Sequence, residues 1–181
     1  NDITKFFNDI FDNEEIKLYI YKMLAMTLDG TISYETLDIW SGKGRNGKGV
    51  LDTLIQHTFG RYYAEIDISY FTQMSKKSNE ASPEMADKRG VRLLMSSEPE
   101  SEETIKVKTL KKTTGGDLIS ARKLFQDNMS FKPQFTYIII FHRCREIINR
   151  YLMTTCYNKM IICISLSQYI SFIICNLTEF F

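Results

Sequence analysis

The chain has 181 residues, 44% hydrophobic and 25% charged, with a formal net charge of +1. That length suits one domain with a core that needs no disulfide or metal staples, and the composition excludes a disordered chain. A total charge this small carries no information about nucleic acid, which a local basic patch would read.

In chain order, residues 12–30 form the first predicted helix. Asp12 caps it, Glu15 completes a capping-box-like pair and Gly30 ends it. Ile16, Tyr19, Ile20, Met23, Leu24 and Leu28 then lie on one apolar stripe, as in a helix that covers a core. Residues 36–40 are a short β-prone run that leads into Ser41-Gly42-Lys43-Gly44-Arg45-Asn46-Gly47-Lys48. Val50, Leu51, Leu54, Ile55, Thr58 and Phe59 follow with helical period, and Gly60 closes that helix. A polar stretch over 73–89 has Pro83 near a helix start, and 91–97 is a compact strand running into Glu98-Pro99-Glu100. Residues 118–124 and 129–131 flank Gln126-Asp127-Asn128, which reads as a hairpin turn. Residues 135–141 are an apolar run expected as a buried strand.

Strand, glycine-rich turn and helix thus occur in the order that a phosphate-binding loop requires. Gly42, Gly47 and Lys48 fit the first seven positions of G-x-x-x-x-G-K-[ST]. Glycines there let successive backbone N–H groups turn toward phosphate oxygens, and the following helix adds its dipole. Residues 42–50 (Gly42, Lys43, Gly44, Arg45, Asn46, Gly47, Lys48, Gly49, Val50) are therefore the expected nucleotide-binding set, with Lys48 neutralising the β and γ phosphates. The eighth position is Gly49, where Ser or Thr normally supplies a hydroxyl to Mg2+, so water must fill that coordination position or metal binding weakens. Thr53, one helical turn on, points away from the phosphates and is no replacement. ATP hydrolysis also needs a carboxylate at the end of a neighbouring strand. Glu98 has that placement, holding Mg2+ through water or orienting the attacking water, with Glu100 in reserve.

Between Thr104 and Lys132, Lys106, Lys108, Lys111, Lys112, Arg122, Lys123 and Lys132 face only Asp117 and Asp127, a local charge of +5. Such a patch binds a phosphate backbone without reading sequence; a solvated lysine-rich face is the plainer account of it.

Together these residues resemble the superfamily 3 helicases of viruses and phages, of the poxvirus-type and phage/plasmid primase-helicase kind. The resemblance covers residues 15–141. It rests on the phosphate loop, on Glu98-Pro99-Glu100, and above all on Lys111-Lys112-Thr113-Thr114-Gly115-Gly116-Asp117-Leu118-Ile119-Ser120-Ala121-Arg122 followed by Phe131-Lys132-Pro133-Gln134-Phe135. It implies an α/β fold: an AAA+-like P-loop NTPase core with a largely parallel sheet, here preceded by an amphipathic helix. It further implies ATP and Mg2+ as cofactors, a homo-hexameric ring, and translocation on single-stranded or forked DNA. The Gly-Gly-Asp block would lead into a hairpin that grips the strand in the central channel, with Arg122 and Lys123 as its phosphate contacts beside Lys111 and Lys112.

The resemblance stops where composition changes. All nine glycines and all three prolines precede Gln134, whereas all four cysteines follow His142. His142 stands where the family has a γ-phosphate-sensing asparagine, and no Trp-Arg-Arg-like segment follows to supply an arginine to a neighbouring subunit's ATP. Cysteine spacings of 12, 7 and 12 fit no zinc pattern, and neither His57 nor His142 sits in a nucleophile motif. With no recognisable signal peptide, reduced thiols and a cytoplasmic location are expected, for instance a viral replication site. From Met160 to Leu177 there is no charged residue, but Ser165, Ser167, Gln168, Ser171 and Asn176 make a poor membrane span.

The expected organisation is a helical lead-in over 1–34, an NTPase core over 35–141 and an atypical tail over 142–181, truncated, out of frame or naturally divergent. An ATP-driven DNA helicase is the leading function, inactive as this fragment if the tail's losses matter. Another P-loop NTPase or nucleotide kinase and a non-catalytic nucleotide- or DNA-binding remnant are the alternatives.

Overall fold

The computed structural model describes residues 2–31, 36–41, 47–73, 82–97, 99–100, 103–141, 161–165 and 173–175. Two helices lead in, α1 (Asp2–Ile10) and α2 (Glu14–Thr27). Strand β1 (Leu37–Ser41), helix α3 (Lys48–Phe59) and strand β2 (Tyr63–Glu65) follow, then short helices α4 (Ser69–Thr72) and α5 (Pro83–Ala86) and strand β3 (Leu93–Ser96). Helix α6 (Val107–Thr114) precedes the hairpin of β4 (Ile119–Ala121) and β5 (Met129–Phe131), and β6 (Thr136–Phe141) returns to the sheet. Two stretches of the tail, β7 (Ile161–Ser165) and β8 (Ile173–Cys175), join the same sheet.

The main sheet has the order β2-β3-β6-β1-β7-β8. Every neighbouring pair is parallel except β7 with β8, so the fold is α/β with a largely parallel sheet. Its central strands are covered on both faces, which is why they read as continuous apolar runs rather than alternating ones. Leu37 and Ile39 of β1, Leu94 of β3 and Tyr137, Ile139 and Phe141 of β6 share one core with Phe71, Met85, Leu110 and the inward residues Ile119, Ala121 and Phe131 of the hairpin. Trp40, Leu93, Met95 and Ile138 face the other way, against Phe7, Ile16, Ile20, Met23, Leu51, Ile55 and Phe59 of the three longest helices and Phe11 just after α1.

Local sequence accounts for the helix ends. Asn13, not Asp12, caps α2: its side-chain oxygen accepts from the N–H groups of Glu15 (2.8 Å) and Ile16 (3.2 Å). The capping-box expectation for Glu15 is therefore corrected by one position, because a cap must sit directly before the first turn to reach its unpaired donors. Ile16, Ile20 and Met23 are buried as the stripe requires, each stabilising the fold by about 1.5–3 kcal/mol. Leu28 lies past the helix and is exposed. Helix α1 lies within the helical lead-in expected over 1–34, where the sequence pattern delimits no separate helix; Phe7 and Phe11, four apart, both bury. Pro83 occupies the first turn of α5, where its missing N–H costs nothing. In α6 the buried Thr113 and Thr114 hydroxyls donate to the carbonyls of Thr109 (2.8 Å) and Leu110 (3.0 Å), so neither is left unpaired.

Candidate nucleotide site and basic hairpin

The parallel register sets Ser41 of β1 level with Phe141 of β6 and Ser165 of β7, and Ser96 of β3 two residues short of them. All these strands end on the same edge of the sheet. From β1 the chain departs to β2, works back through β3 to β6, and then places β7 on the other side of β1. That reversal beside β1 is a topological switch point, and ligand sites in open α/β sheets usually lie outside the carboxyl ends of the strands at such a point.

Gly47 and Lys48 stand at this edge. Gly47 precedes α3 with φ 82°, ψ −2°, a left-handed conformation that costs other L-residues. A Cβ there would lie 2.9 Å from Cδ1 of Ile10, so the end of α1 packs tightly against the entry to α3. No side chain caps α3 and its first turn holds no acidic residue, which leaves the positive end of its dipole without a negative protein charge in that turn. Lys48 opens the helix and is only 8% exposed. A buried cation at a helix N-terminus works against the dipole unless an anion joins both. Gly49 is exposed, with no atom within 4 Å of where its Cβ would be. Val50, placed on the helical stripe, is 61% exposed, whereas Leu51, Ile55 and Phe59 bury; Val50 falls on the outer face. Thr53 donates its hydroxyl to the Gly49 carbonyl one turn back (2.9 Å).

Gly42, Lys43, Gly44, Arg45 and Asn46 lie outside the described residues, as do Glu98 and His142. Strand β3 ends at Ser96, two residues before Glu98 in sequence. Among the described residues no group of three or more His, Cys, Asp or Glu side chains is placed to hold a metal ion, and no helix is long and apolar enough to cross a membrane.

Strand β1 carries a buried acid that local sequence patterns do not single out. Asp38 is fully buried and accepts a 2.7 Å hydrogen bond from the Tyr19 hydroxyl of α2. Its other oxygen has no partner, and neither does the Trp40 indole N–H two residues on. Burial pushes the Asp38 carboxyl up to about 6, only partly offset by the Tyr19 bond. Only an unexpectedly polar letter in an otherwise apolar strand could have signalled it.

The hairpin forms where expected, with Ile119 opposite Phe131 and Ala121 opposite Met129. Its turn is displaced: Gln126 N–H donates to the Lys123 carbonyl (3.3 Å), so the tight bend centres on Leu124 and Phe125 rather than on Gln126-Asp127-Asn128. The hairpin is tied to α5 by the Ser82 N–H, which donates to the Arg122 carbonyl (2.9 Å), and by an ion pair between Lys123 and Asp87. Arg122 and Lys123 are both half-buried, so Lys123 is engaged with a carboxylate rather than extended as a free phosphate contact. Lys106, Lys108, Lys112 and Lys132 are exposed; Lys111 is half-buried.

No protein-family model matches the chain. It is 37% identical over 145 residues to a protein of Acanthamoeba polyphaga mimivirus named "Putative helicase L207/L206", an alignment covering 80% of this chain and 15% of that one. It is 32% identical over 142 residues to "Putative helicase 022R" of Frog virus 3 (isolate Goorha), covering 76% and 15%. It is likewise 32% identical over 148 residues to "Putative helicase V13" of Sputnik virophage, covering 78% and 18%. The chain thus matches less than a fifth of the length of these relatives. Among solved structures, the apo A form of the NrS-1 C-terminal region superposes with a TM-score of 0.64 at 12% identity, covering 91% of this chain and 37% of that one; this likeness carries the fold alone. Fold and relatives define a class of viral helicase-type α/β domains. The chain is similar to one segment of those viral proteins, and its resemblance to the viral superfamily 3 helicases stands.

Proposed function

We propose that the chain is the nucleotide-binding core of an ATP-driven DNA helicase. The observation that carries this reading is the buried Lys48 at the uncapped start of α3, directly after left-handed Gly47 and beside the crossover at β1. A triphosphate would set its negative charge against both the helix N-terminus and the ammonium. Backbone N–H groups of residues 42–49 would surround its oxygens and Lys48 would neutralise its outer phosphates, with Glu98 on Mg2+ through water. Gly49 contributes no hydroxyl, so water completes the metal's coordination.

The exposed lysines of the 106–132 stretch suit a nucleic-acid backbone, and the hairpin between them suits a gripping element. In an AAA+-like hexamer such hairpins would converge on single-stranded or forked DNA. A nucleotide kinase has no use for that hairpin.

The test is steady-state ATP hydrolysis with and without single-stranded DNA. A helicase core shows DNA-stimulated hydrolysis, a kinase shows transfer to a small acceptor, and a remnant shows neither.

A further inference from the structure

The hairpin's bend carries Leu124, 64% exposed, and Phe125, whose ring is fully exposed. Phe125 has φ 58°, the one non-glycine residue in the left-handed region among the described residues. A bulky side chain there is strained, and its ring rests in water; glycine or asparagine would relieve both. The Ser82–Arg122 backbone bond and the Lys123–Asp87 ion pair tie the residues leading into the bend to α5.

The apolar tip amounts to two side chains, far below the area of roughly 800 Å² per partner that a stable protein interface buries. One aromatic face is instead the size of one base. The hairpin lies within the 104–132 stretch of net charge +5, whose exposed lysines flank it in sequence and attract a phosphate backbone, while the hairpin itself carries Arg122 and the Asp87-paired Lys123 against Asp127. We propose that Phe125 stacks on an unpaired base of the single strand, with Leu124 against the base edge, so that the hairpin grips by base stacking in addition to lysine–phosphate contacts. This inference rests on the reading of the chain as a DNA motor.

Binding of the intact chain to an oligothymidylate of about 12 nucleotides, and to an abasic strand of the same length, separates the two contributions. Phe125→Ala should lose about 5- to 150-fold in affinity for the base-bearing strand and nothing on the abasic one. Phe125→Trp should restore affinity, with its fluorescence quenched by the strand; the single native tryptophan, Trp40, is fully buried and should not respond. Equal losses on both strands, or none on either while the parent binds both, overturn stacking and leave the DNA reading in place. A parent that binds neither strand removes the DNA reading itself. Self-association of the parent in sedimentation that Phe125→Ala abolishes would assign the tip to a second copy and likewise overturn the proposal.

Discussion

The Tyr19 hydroxyl of α2 donates a 2.7 Å hydrogen bond to the fully buried carboxyl of Asp38, in the strand that precedes the proposed phosphate loop. Burial holds that carboxyl at about 6, above its ordinary 3.8. Folding therefore favours the protonated form. The stabilisation that follows is complete below about pH 4 and disappears as pH rises through about 6, a change on the order of 3 kcal/mol. Asp38→Asn should remove this decline, so that the gap in melting temperature between variant and parent widens from pH 4 to pH 7.5. A variant that tracks the parent at every pH would show that Asp38 ionises without cost.

A second prediction concerns Gly47. Alanine there must adopt φ near 82° and place its Cβ 2.9 Å from Ile10, so Gly47→Ala should destabilise the chain by about 1–2 kcal/mol. Urea denaturation measures this directly. Ile10→Ala in the same background should recover the part due to crowding, leaving the backbone part; unchanged midpoints in Gly47→Ala would mean the loop entry is not left-handed.

Much of this was legible in sequence, and for identifiable reasons. The long periodic stripe of α2, the strand–loop–helix order around Lys48 and the apolar run of β6 announce themselves because burial imposes period and continuity. Helix α1 falls within the helical lead-in expected over 1–34 without being resolved as an element of its own, although Phe6, Phe7 and Ile10 pack its inner face on the core. The hairpin's bend was misplaced by trusting Gln126-Asp127-Asn128, typical turn letters, while the chain turns at Leu124 and Phe125 against local preference. Partners distant in sequence, such as Asp38 with Tyr19 and Lys123 with Asp87, leave no local pattern at all.

Gly49 has open space where its side chain would be, so Gly49→Ser should fold as well as the parent and strengthen Mg2+-dependent nucleotide affinity. Turnover should remain slow in both, because no arginine can be assigned to a neighbouring subunit's site, and such a residue contributes about 10³ to 10⁵ in rate in phosphoryl-transfer systems. Hydrolysis by the parent at about 1 s⁻¹ or faster would mean that the tail supplies groups the resemblance does not identify.

The Lys123–Asp87 pair makes a prediction opposite in sign to a simple loss of charge. Asp87→Ala releases Lys123 and removes an acid near the strand, and should tighten single-strand binding. Lys112→Ala, at an exposed position, should weaken binding to every sequence alike and lower the salt slope by about 0.7. Salt titrations of the two variants test both statements; an unchanged slope in Lys112→Ala moves the DNA path elsewhere.

The central claim, that the start of α3 holds a nucleotide's phosphates, is tested most directly by titrating a fluorescent ATP analogue into the parent and Lys48→Ala. Charge-assisted contacts of about 1.5–3 kcal/mol each should vanish with the ammonium, so affinity should fall at least about tenfold while the far-ultraviolet spectrum and melting cooperativity are retained. Equal affinity in a folded Lys48→Ala variant would contradict the assignment.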